Sequence, residues 1–296
     1  MKSANHFILF DPFQVSPLVY LDRQALIDGD LGKMITDGVV WGVTSNPSII
    51  QKAITTSNVY RSPIQAMSWQ GLDVRKIYEE LVIKDIRNTA DILLPVYKET
   101  NRKDGYVSIE VDPGLADKSP ETVSEAERLW QLVDRPNLMI KIPATDAGIF
   151  AIKETIAKGI NVNITLIFSV EVYKRVIGAY FAGLEERFDK GQDISTIHSV
   201  ASFFISRIDT KVDRILEEKK NHLKSQANSA SELIGKAATA NAILAYDEFL
   251  SSIKSDRYKS LQLKGANIQR PLWASTSTNN PAFSDIVYVQ DLSRIC

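Results

Sequence analysis

Short apolar runs and amphipathic segments alternate along this chain. Seven runs of strand length are rich in branched residues, and helical spacing of apolar positions recurs between them, most clearly over residues 121–133 and 170–188. The predicted strands cover residues 18–22, 39–44, 106–111, 138–142, 160–168, 199–204 and 271–275. This alternation predicts a parallel sheet with right-handed crossovers, either a doubly wound open sheet or a closed barrel. The first strand-to-helix turns lack Gly-x-Gly-x-x-Gly, so an α/β barrel of the (β/α)8 TIM type is favoured.

Lys141 is the most informative single residue, because it interrupts the apolar run at 138–142. That run is short, branched and preceded by a turn, which predicts a buried parallel strand. A buried lysine amine loses its proton easily, since desolvation disfavours the charged form, and a neutral amine attacks carbonyl carbon. The alternative is a lysine that pairs with a nearby carboxylate and takes no part in chemistry. The strand by itself does not separate these two interpretations.

Polar residues at or just after the carboxyl ends of the predicted strands favour the chemical interpretation. They are Asp22, Asn46, Glu110, Lys141, Asn163, Thr165, Ser202, Arg207 and Ser275. Each has a local explanation, such as a helix cap, a side chain bonded to backbone, or a turn. Jointly they indicate a site, because burying unpaired polar groups in strands is costly and the carboxyl-terminal rim of a barrel holds its active site.

Composition narrows the class of partner and ligand. The chain has 296 residues with 44% hydrophobic content and lacks a Pro/Gly/Ser-rich linker, so a single domain over residues 1–296 is expected. A net charge of -1 gives no electrostatic signature for nucleic acid or an anionic membrane. One cysteine and three scattered histidines offer neither a disulfide framework nor metal spacing. We therefore expect a cytoplasmic, metal-free protein that acts on small molecules.

Five blocks in order resemble the transaldolases, in particular the longer bacterial and cyanobacterial-plant type, over nearly the whole chain. The blocks are GVTSNPSI at 42–49, VSIEVDP at 107–113, LMIKIPAT at 138–145, GINVNITLIFS at 159–169 and SVASFFISRID at 199–209. The resemblance implies a barrel enzyme of the pentose phosphate pathway. Such an enzyme transfers a dihydroxyacetone unit from sedoheptulose 7-phosphate to glyceraldehyde 3-phosphate, giving erythrose 4-phosphate and fructose 6-phosphate, without a cofactor or metal.

The resemblance also implies catalytic roles. Lys141 would form a Schiff base with the ketose, and the iminium would serve as the electron sink for retro-aldol cleavage. Asp22 would be the acid/base at the hydroxyl whose proton leaves during cleavage. Glu110 and Thr165 would hold the water that shuttles protons during dehydration of the carbinolamine.

Binding roles follow from the same resemblance. Asn46 and Asn163 would bind the hydroxyls of the three-carbon unit through uncharged amides that do not compete as bases. Ser202, Arg207 and Ser275 would bind the substrate phosphate, with Arg207 supplying the planar fork suited to that anion.

The sequence departs from the family pattern at two places. Asn279 stands where this branch usually has lysine after the Ser-Thr-Ser-Thr run, which puts phosphate affinity in question. The sequence also ends at Cys296, before the expected eighth strand and helix. From this we expect a barrel with the eighth strand missing, unpaired edges on strands one and seven, and a tendency to form homo-oligomers.

Two alternatives to the transferase stay open at this level. One is another Schiff-base aldolase, which releases dihydroxyacetone to water instead of passing it to an acceptor aldose. The other is a truncated, catalytically inactive transaldolase-like protein. Sugar phosphates are the expected ligands in either enzymatic case.

Overall fold

A computed structural model describes residues 23–222, 231–278, 280, 283–284 and 286–292 of this chain. Its six strands form one parallel sheet in the sequential order β1-β2-β3-β4-β5-β6. The strands are β1 (Gly42–Thr44), β2 (Tyr106–Glu110), β3 (Leu138–Pro143), β4 (Val162–Ile167), β5 (Ser199–Phe204) and β6 (Arg270–Ala274). All six were predicted from the sequence, and the remaining predicted strand, at 18–22, lies outside the described residues. Sequential order without a reversal excludes a doubly wound sheet for these strands.

Helices connect successive strands, as crossovers between parallel strands require. They are α1 (Arg23–Ile27), α2 (Asp30–Thr36), α3 (Pro47–Thr56), α4 (Arg61–Trp69), α5 (Val74–Glu99), α6 (Ser119–Val133), α7 (Asp146–Ala157), α8 (Val170–Asp189), α9 (Ser206–His222), α10 (Ala237–Lys254), α11 (Asp256–Leu263) and α12 (Val287–Leu292). None of the helices in the described ranges is long and apolar enough to cross a membrane.

Side-chain alternation divides the strand residues between two faces of the sheet. The outer face contributes branched residues such as Val107, Ile140 and Ile164 to the large core beneath the helices. The inner face carries a smaller apolar cluster in which Tyr106 of β2 and Leu272 of β6 both take part. Strands buried on both faces explain the nearly continuous apolar runs in the sequence.

The sheet is strongly curled, since residues of distant strands meet across its inner side. Arg270 begins β6, and its Nη2 atom lies 2.9 Å from Oδ1 of Asp104, which precedes β2. Strands β2 and β6 are four positions apart, a separation of about 19 Å in a flat sheet at about 4.8 Å per strand. The direct contact therefore requires the six strands to form a curved half-barrel.

A buried ion pair fixes the first described residues against the helical layer. Arg23 donates through Nε to Oδ1 of Asp85 at 2.6 Å, and the hydroxyl of Tyr60 donates to the other carboxylate oxygen at 2.9 Å. Arg23 also donates to the carbonyl of Leu81. Both charged side chains are buried, so this cluster joins α1, α5 and the 3-10 turn Asn58–Tyr60.

We expect Asp85→Asn to lower the free energy of unfolding by about 3–5 kcal/mol, because the Arg23 guanidinium would stay buried without an opposite charge. Urea denaturation measures this loss. Asp91→Asn is the matched control, since Asp91 pairs with Arg135 at the surface and exposed pairs contribute about 0–1 kcal/mol. Equal losses in the two variants would contradict a special role for the buried pair.

Candidate active site

Lys141 lies on the inner face of β3, where its side chain is 8% exposed. Its ammonium nitrogen is 2.9 Å from Oε2 of Glu110 and 3.2 Å from the carbonyl oxygen of Ser45. Glu110 is its direct register partner on β2. The side chains of parallel neighbours in register point the same way, so strand pairing itself creates this contact.

The contact with Glu110 is the carboxylate pairing that the sequence left open as an alternative to chemistry. Pairing alone does not exclude chemistry, because a carboxylate at 2.9 Å is within reach to accept a proton from the ammonium. A side chain in this position can hold the proton while the amine attacks a carbonyl and return it afterwards. The geometry therefore fits a nucleophile with an adjacent base.

The end of β3 is held in place by the start of α7. The Thr145 hydroxyl oxygen caps the helix by accepting from the N–H of Gly148 at 2.9 Å, and it donates to the carbonyl of Ala116 at 2.5 Å. Gly148 itself approaches the strand so closely that a Cβ atom there would lie 1.9 Å from the carbonyl oxygen of Pro143. The close approach holds α7 against Pro143, which is two residues after Lys141.

Asn163 and Thr165 are two residues apart on β4, so both side chains lie on the same inner face as Lys141. Asn163 is the register partner of Lys141, and Thr165 is that of Pro143. Beyond Thr165, the pairing of β4 with β5 shifts by one residue, and Leu166 takes a left-handed conformation with φ 61°. A bulge of this kind bends the strand, so β4 changes course immediately after the predicted catalytic threonine.

A buried hydrogen-bond chain crosses the inner face beneath Lys141. The side-chain nitrogen of Asn163 donates to the Ser108 hydroxyl oxygen at 3.0 Å. The Ser202 hydroxyl donates to the side-chain oxygen of Asn163 at 2.8 Å. The chain leaves Asn163 one N–H and one acceptor lone pair for a ligand. Sequence reasoning did not select Ser108, although a polar residue within the buried run at 106–111 was a usable signal.

Asn46 follows β1 and caps α3. Its side-chain oxygen accepts from the backbone N–H groups of Ser48 at 2.9 Å and Ile49 at 3.3 Å. The helix-capping explanation considered for this residue is therefore correct. It is compatible with ligand binding, because the cap uses the oxygen and the amide N–H groups remain to donate.

Ser275 and Arg207 lie together at the carboxyl-terminal edge, but Ser202 does not join them. The Ser275 hydroxyl is 2.9 Å from that of Ser206, and the N–H of Ser206 donates to the Ser275 carbonyl at 3.0 Å. Arg207 follows directly and is exposed, with its guanidinium carbon 5.2 Å from the ring centroid of Phe204. Ser202 lies deeper in the sheet, bonded to Asn163. Ser206, adjacent to the predicted arginine, was not identified from sequence.

Asp22 and Asn279, the predicted acid/base and the departure from the family pattern, lie outside the described residues. The described chain begins at Arg23, immediately after Asp22. Arg23 is fixed by the ion pair with Asp85. Within the described ranges no three His, Cys, Asp or Glu side chains are grouped so as to hold a metal ion.

Glu110 and Ser45 also line a cavity of about 280 Å³ between β2 and helices α3, α5 and α6. Tyr78 lines the same cavity, where burial raises the pKa of its hydroxyl and the charge of Glu110 raises it further. Tyr78 thus stays a neutral hydrogen-bonding group next to Glu110.

The arrangement is that of a parallel α/β enzyme with a buried amine and an adjacent carboxylate at the carboxyl ends of its strands. The model of the transaldolase/fructose-6-phosphate aldolase family matches residues 20–295, so the chain belongs to that family.

Curated relatives are similar over most of this chain. Transaldolase 2 of Nostoc sp. is 47% identical over 275 residues, which are 92% of this chain and 72% of the relative. A transaldolase of Trichodesmium erythraeum is 48% identical, with the same two shares. A transaldolase of Mycobacterium tuberculosis is 46% identical over 92% of this chain and 72% of its own length.

We expect Ser108→Ala to lower the free energy of unfolding by about 1–3 kcal/mol, because a buried Asn163 N–H would lose its acceptor. Chemical denaturation gives the value. Ser124→Ala is the control, since that serine bonds a carbonyl on an exposed helix surface and such changes are usually within about 0.5 kcal/mol. A Ser108→Ala protein as stable as the control would show that the chain beneath Lys141 contributes nothing.

Proposed function

We propose that this chain is a transaldolase, a transferase of carbohydrate metabolism that moves a dihydroxyacetone unit between sugar phosphates. The reaction converts sedoheptulose 7-phosphate and glyceraldehyde 3-phosphate into erythrose 4-phosphate and fructose 6-phosphate. The observation that carries the proposal is the buried Lys141 amine 2.9 Å from Glu110, in a chain of this family. The relatives named transaldolase at 46–48% identity support the same activity.

The first half of the proposed mechanism forms the imine. Glu110 takes a proton from the Lys141 ammonium, and the neutral amine attacks the ketone carbon of the donor sugar. Glu110 returns the proton to the carbinolamine hydroxyl, which leaves as water, with Thr165 binding that water. The product is an iminium joined to Lys141. The ion pair explains how a lysine can be buried as a charged residue and still supply a neutral nucleophile.

The second half breaks and remakes a carbon–carbon bond. Asp22 removes the proton of the C4 hydroxyl, the C3–C4 bond breaks, and its electron pair moves into the iminium to give an enamine. The first aldose leaves, and the enamine attacks the aldehyde carbon of the second. Asp22 then returns its proton to the new hydroxyl, and water hydrolyses the imine. The iminium on Lys141 accepts the electron pair of the broken bond, and the enamine returns it to the new bond. No cofactor is needed for this transfer.

Two asparagine amides and one arginine are proposed to bind different parts of the substrate. We assign the hydroxyls of the three-carbon unit to the free amide N–H groups of Asn46 and Asn163. The phosphate is assigned to Arg207 and Ser275, with Ser202 positioning Asn163 from below. The exposure of Arg207 supports this assignment, because a phosphate enters from solvent and Arg207 forms no ion pair with a described residue.

A second candidate is an aldolase that releases free dihydroxyacetone. The family itself supports this candidate, since its description includes fructose-6-phosphate aldolase as well as transaldolase. Both reactions share the imine and cleavage steps. They differ in the next step, because the enamine either attacks an acceptor aldose or is protonated.

We also propose that the six strands are part of a barrel of the (β/α)8 type, and that residues 1–296 belong to one domain. The contact between Arg270 and Asp104 supports closure, because it already joins strands four positions apart. The near-neutral charge supports an enzyme without nucleic-acid or membrane partners. We propose that it acts on sugar phosphates in the cytoplasm.

Reduction with borohydride in the presence of fructose 6-phosphate is expected to leave a dihydroxyacetone-sized adduct on Lys141, because an imine there is reduced to a stable amine. Peptide mass mapping locates the adduct. Lys141→Arg, which keeps a positive charge opposite Glu110, is expected to remain folded and to give no adduct. An adduct on a different lysine, or none on an active preparation, would exclude Lys141 as the nucleophile.

The same preparation distinguishes the candidate activities when assayed with fructose 6-phosphate, with and without erythrose 4-phosphate. Sedoheptulose 7-phosphate formed only with the acceptor indicates a transaldolase. Free dihydroxyacetone without an acceptor indicates the aldolase. Absence of both products from folded protein indicates an inactive relative.

We expect Glu110→Gln and Arg207→Gln to affect different kinetic constants. Glu110→Gln removes a proton acceptor, which typically lowers kcat by about a hundredfold to ten-thousandfold. Arg207→Gln removes a phosphate contact and is expected mainly to raise KM for phosphorylated sugars. Steady-state kinetics separates the two effects. An unchanged kcat in Glu110→Gln would remove Glu110 from the proton transfers.

A further inference from the structure

A groove opens at the amino-terminal edge of the sheet, on the opposite side from Lys141. It has a volume of about 610 Å³, within the range of about 300–1,000 Å³ typical of small-molecule pockets. Its lining includes Tyr97, Lys98, Arg102, Trp130, Asn161 and Thr196. Lys141 lies three residues along β3 from its first residue, about 10 Å at the rise of a strand, so the groove is distinct from the candidate active site.

Two exposed cations border the groove without a carboxylate partner among the described residues. They are Lys98 and Arg102, and no ion pair joins either of them to an acidic side chain in the described ranges. A third cation, Arg187, packs against Gly159 of the groove wall and donates to the carbonyls of Asp193 and Ala157. This edge of the sheet therefore carries positive charge available to an anion.

Two acidic side chains at this edge of the sheet are already hydrogen-bonded elsewhere. Asp104 pairs with Arg270 at 2.9 Å. Asp193 accepts from the backbone N–H and the hydroxyl of Ser195 at 2.8 and 3.0 Å. These hydrogen bonds lower the pKa of Asp193, and the charges of Arg187 and Arg102 lower it further. Asp193 offsets part of the positive charge, while Lys98 remains unpaired within the described chain.

The backbone holds Arg102 at the groove in a strained conformation. Asn101 and Arg102 are consecutive left-handed residues with φ 51° and 68°, a conformation that asparagine tolerates but that is unfavourable for arginine. Hydrogen bonds fix the turn, from the Arg102 N–H to the Tyr97 carbonyl and from the Tyr106 hydroxyl to the Arg102 carbonyl. Strained residues that are fixed in this way are concentrated at ligand sites.

Aromatic and neutral polar groups complete the lining. Trp130 and Tyr97 are half-buried, and the ring of Tyr97 packs edge-on against Tyr106 at 5.3 Å. Thr196 adds a hydroxyl to the lining. Aromatic faces beside unpaired cations suit a ligand that combines a flat ring with a phosphate.

We propose that this groove binds a nucleoside phosphate, with the phosphate at Lys98 and Arg102 and the base against Trp130. The site is independent of the imine chemistry, because it shares no side chain with the candidate active site. A phosphate without a ring would use the two cations only, and a nucleoside without a phosphate would use the aromatic side chains only.

Calorimetric titration of the full chain with ATP in the presence of EDTA tests the proposal. We expect a single site with a Kd below about 1 mM, and binding of adenosine or inorganic phosphate at least about tenfold weaker. Lys98→Gln and Arg102→Gln should each weaken ATP binding about tenfold or more, as expected for loss of a charge-assisted hydrogen bond. Trp130→Leu should weaken ATP binding as well.

Two further variants serve as controls for this titration. Lys103→Gln removes the same charge one residue from Arg102 but outside the groove lining, and Arg207→Gln removes the cation of the candidate phosphate site. Both are expected to bind ATP like the unmodified chain. Absence of ATP binding at about 1 mM would overturn the proposal. Equal weakening by Lys103→Gln would show non-specific attraction, and loss in Arg207→Gln alone would place the nucleotide at the other edge.

Discussion

The ion pair between Lys141 and Glu110 is the interaction on which the arrangement of the site depends. A lysine that is 8% exposed on a side chain within a sheet is tolerated only with a close partner, since an unpaired buried charge is strongly destabilising. Register supplies that partner, because Glu110 and Lys141 are paired residues of adjacent parallel strands. A shift of one residue in the register of β2 against β3 would turn Glu110 towards the helices. The ammonium would then keep only its contact with the Ser45 carbonyl. The pairing that makes the lysine tolerable also places a proton acceptor next to it.

Curvature of the sheet is the second constraint. Asn163 on β4 reaches Ser108 on β2 across the intervening strand, and it accepts from Ser202 on β5. At the opposite edge, Arg270 meets Asp104 across four strand positions. These contacts arise because the inner faces of curled strands turn towards one another. The same curvature directs Lys141, Asn163 and Thr165 into one space, while the branched residues of the outer face pack beneath the helices.

The two edges of the sheet have different polar chemistry. The carboxyl-terminal edge holds the amine, the carboxylate and the serine pair of Ser206 and Ser275. The amino-terminal edge holds cations and aromatic side chains around a groove, with Arg102 fixed in a left-handed turn. Parallel strands create this separation, because all of their carboxyl ends lie on one side and all of their amino ends on the other. A single sheet can therefore present two unlike pockets.

The sequence by itself determined the six described strands, their parallel order and the strand on which the central lysine lies. It could do so because branched apolar runs and helical spacing are local signals that survive without tertiary information. The sequence also identified the residues at the carboxyl ends of those strands, Glu110 and Asn163 among them.

Only the tertiary structure decided which of these residues touch. It placed Ser202 with Asn163 instead of Ser275, put Ser206 beside Ser275, used the Asn46 oxygen as a helix cap, and formed the amino-terminal groove. Those outcomes depend on register, on a one-residue bulge after Thr165 and on curvature, which bring together residues that are dozens of positions apart in the chain.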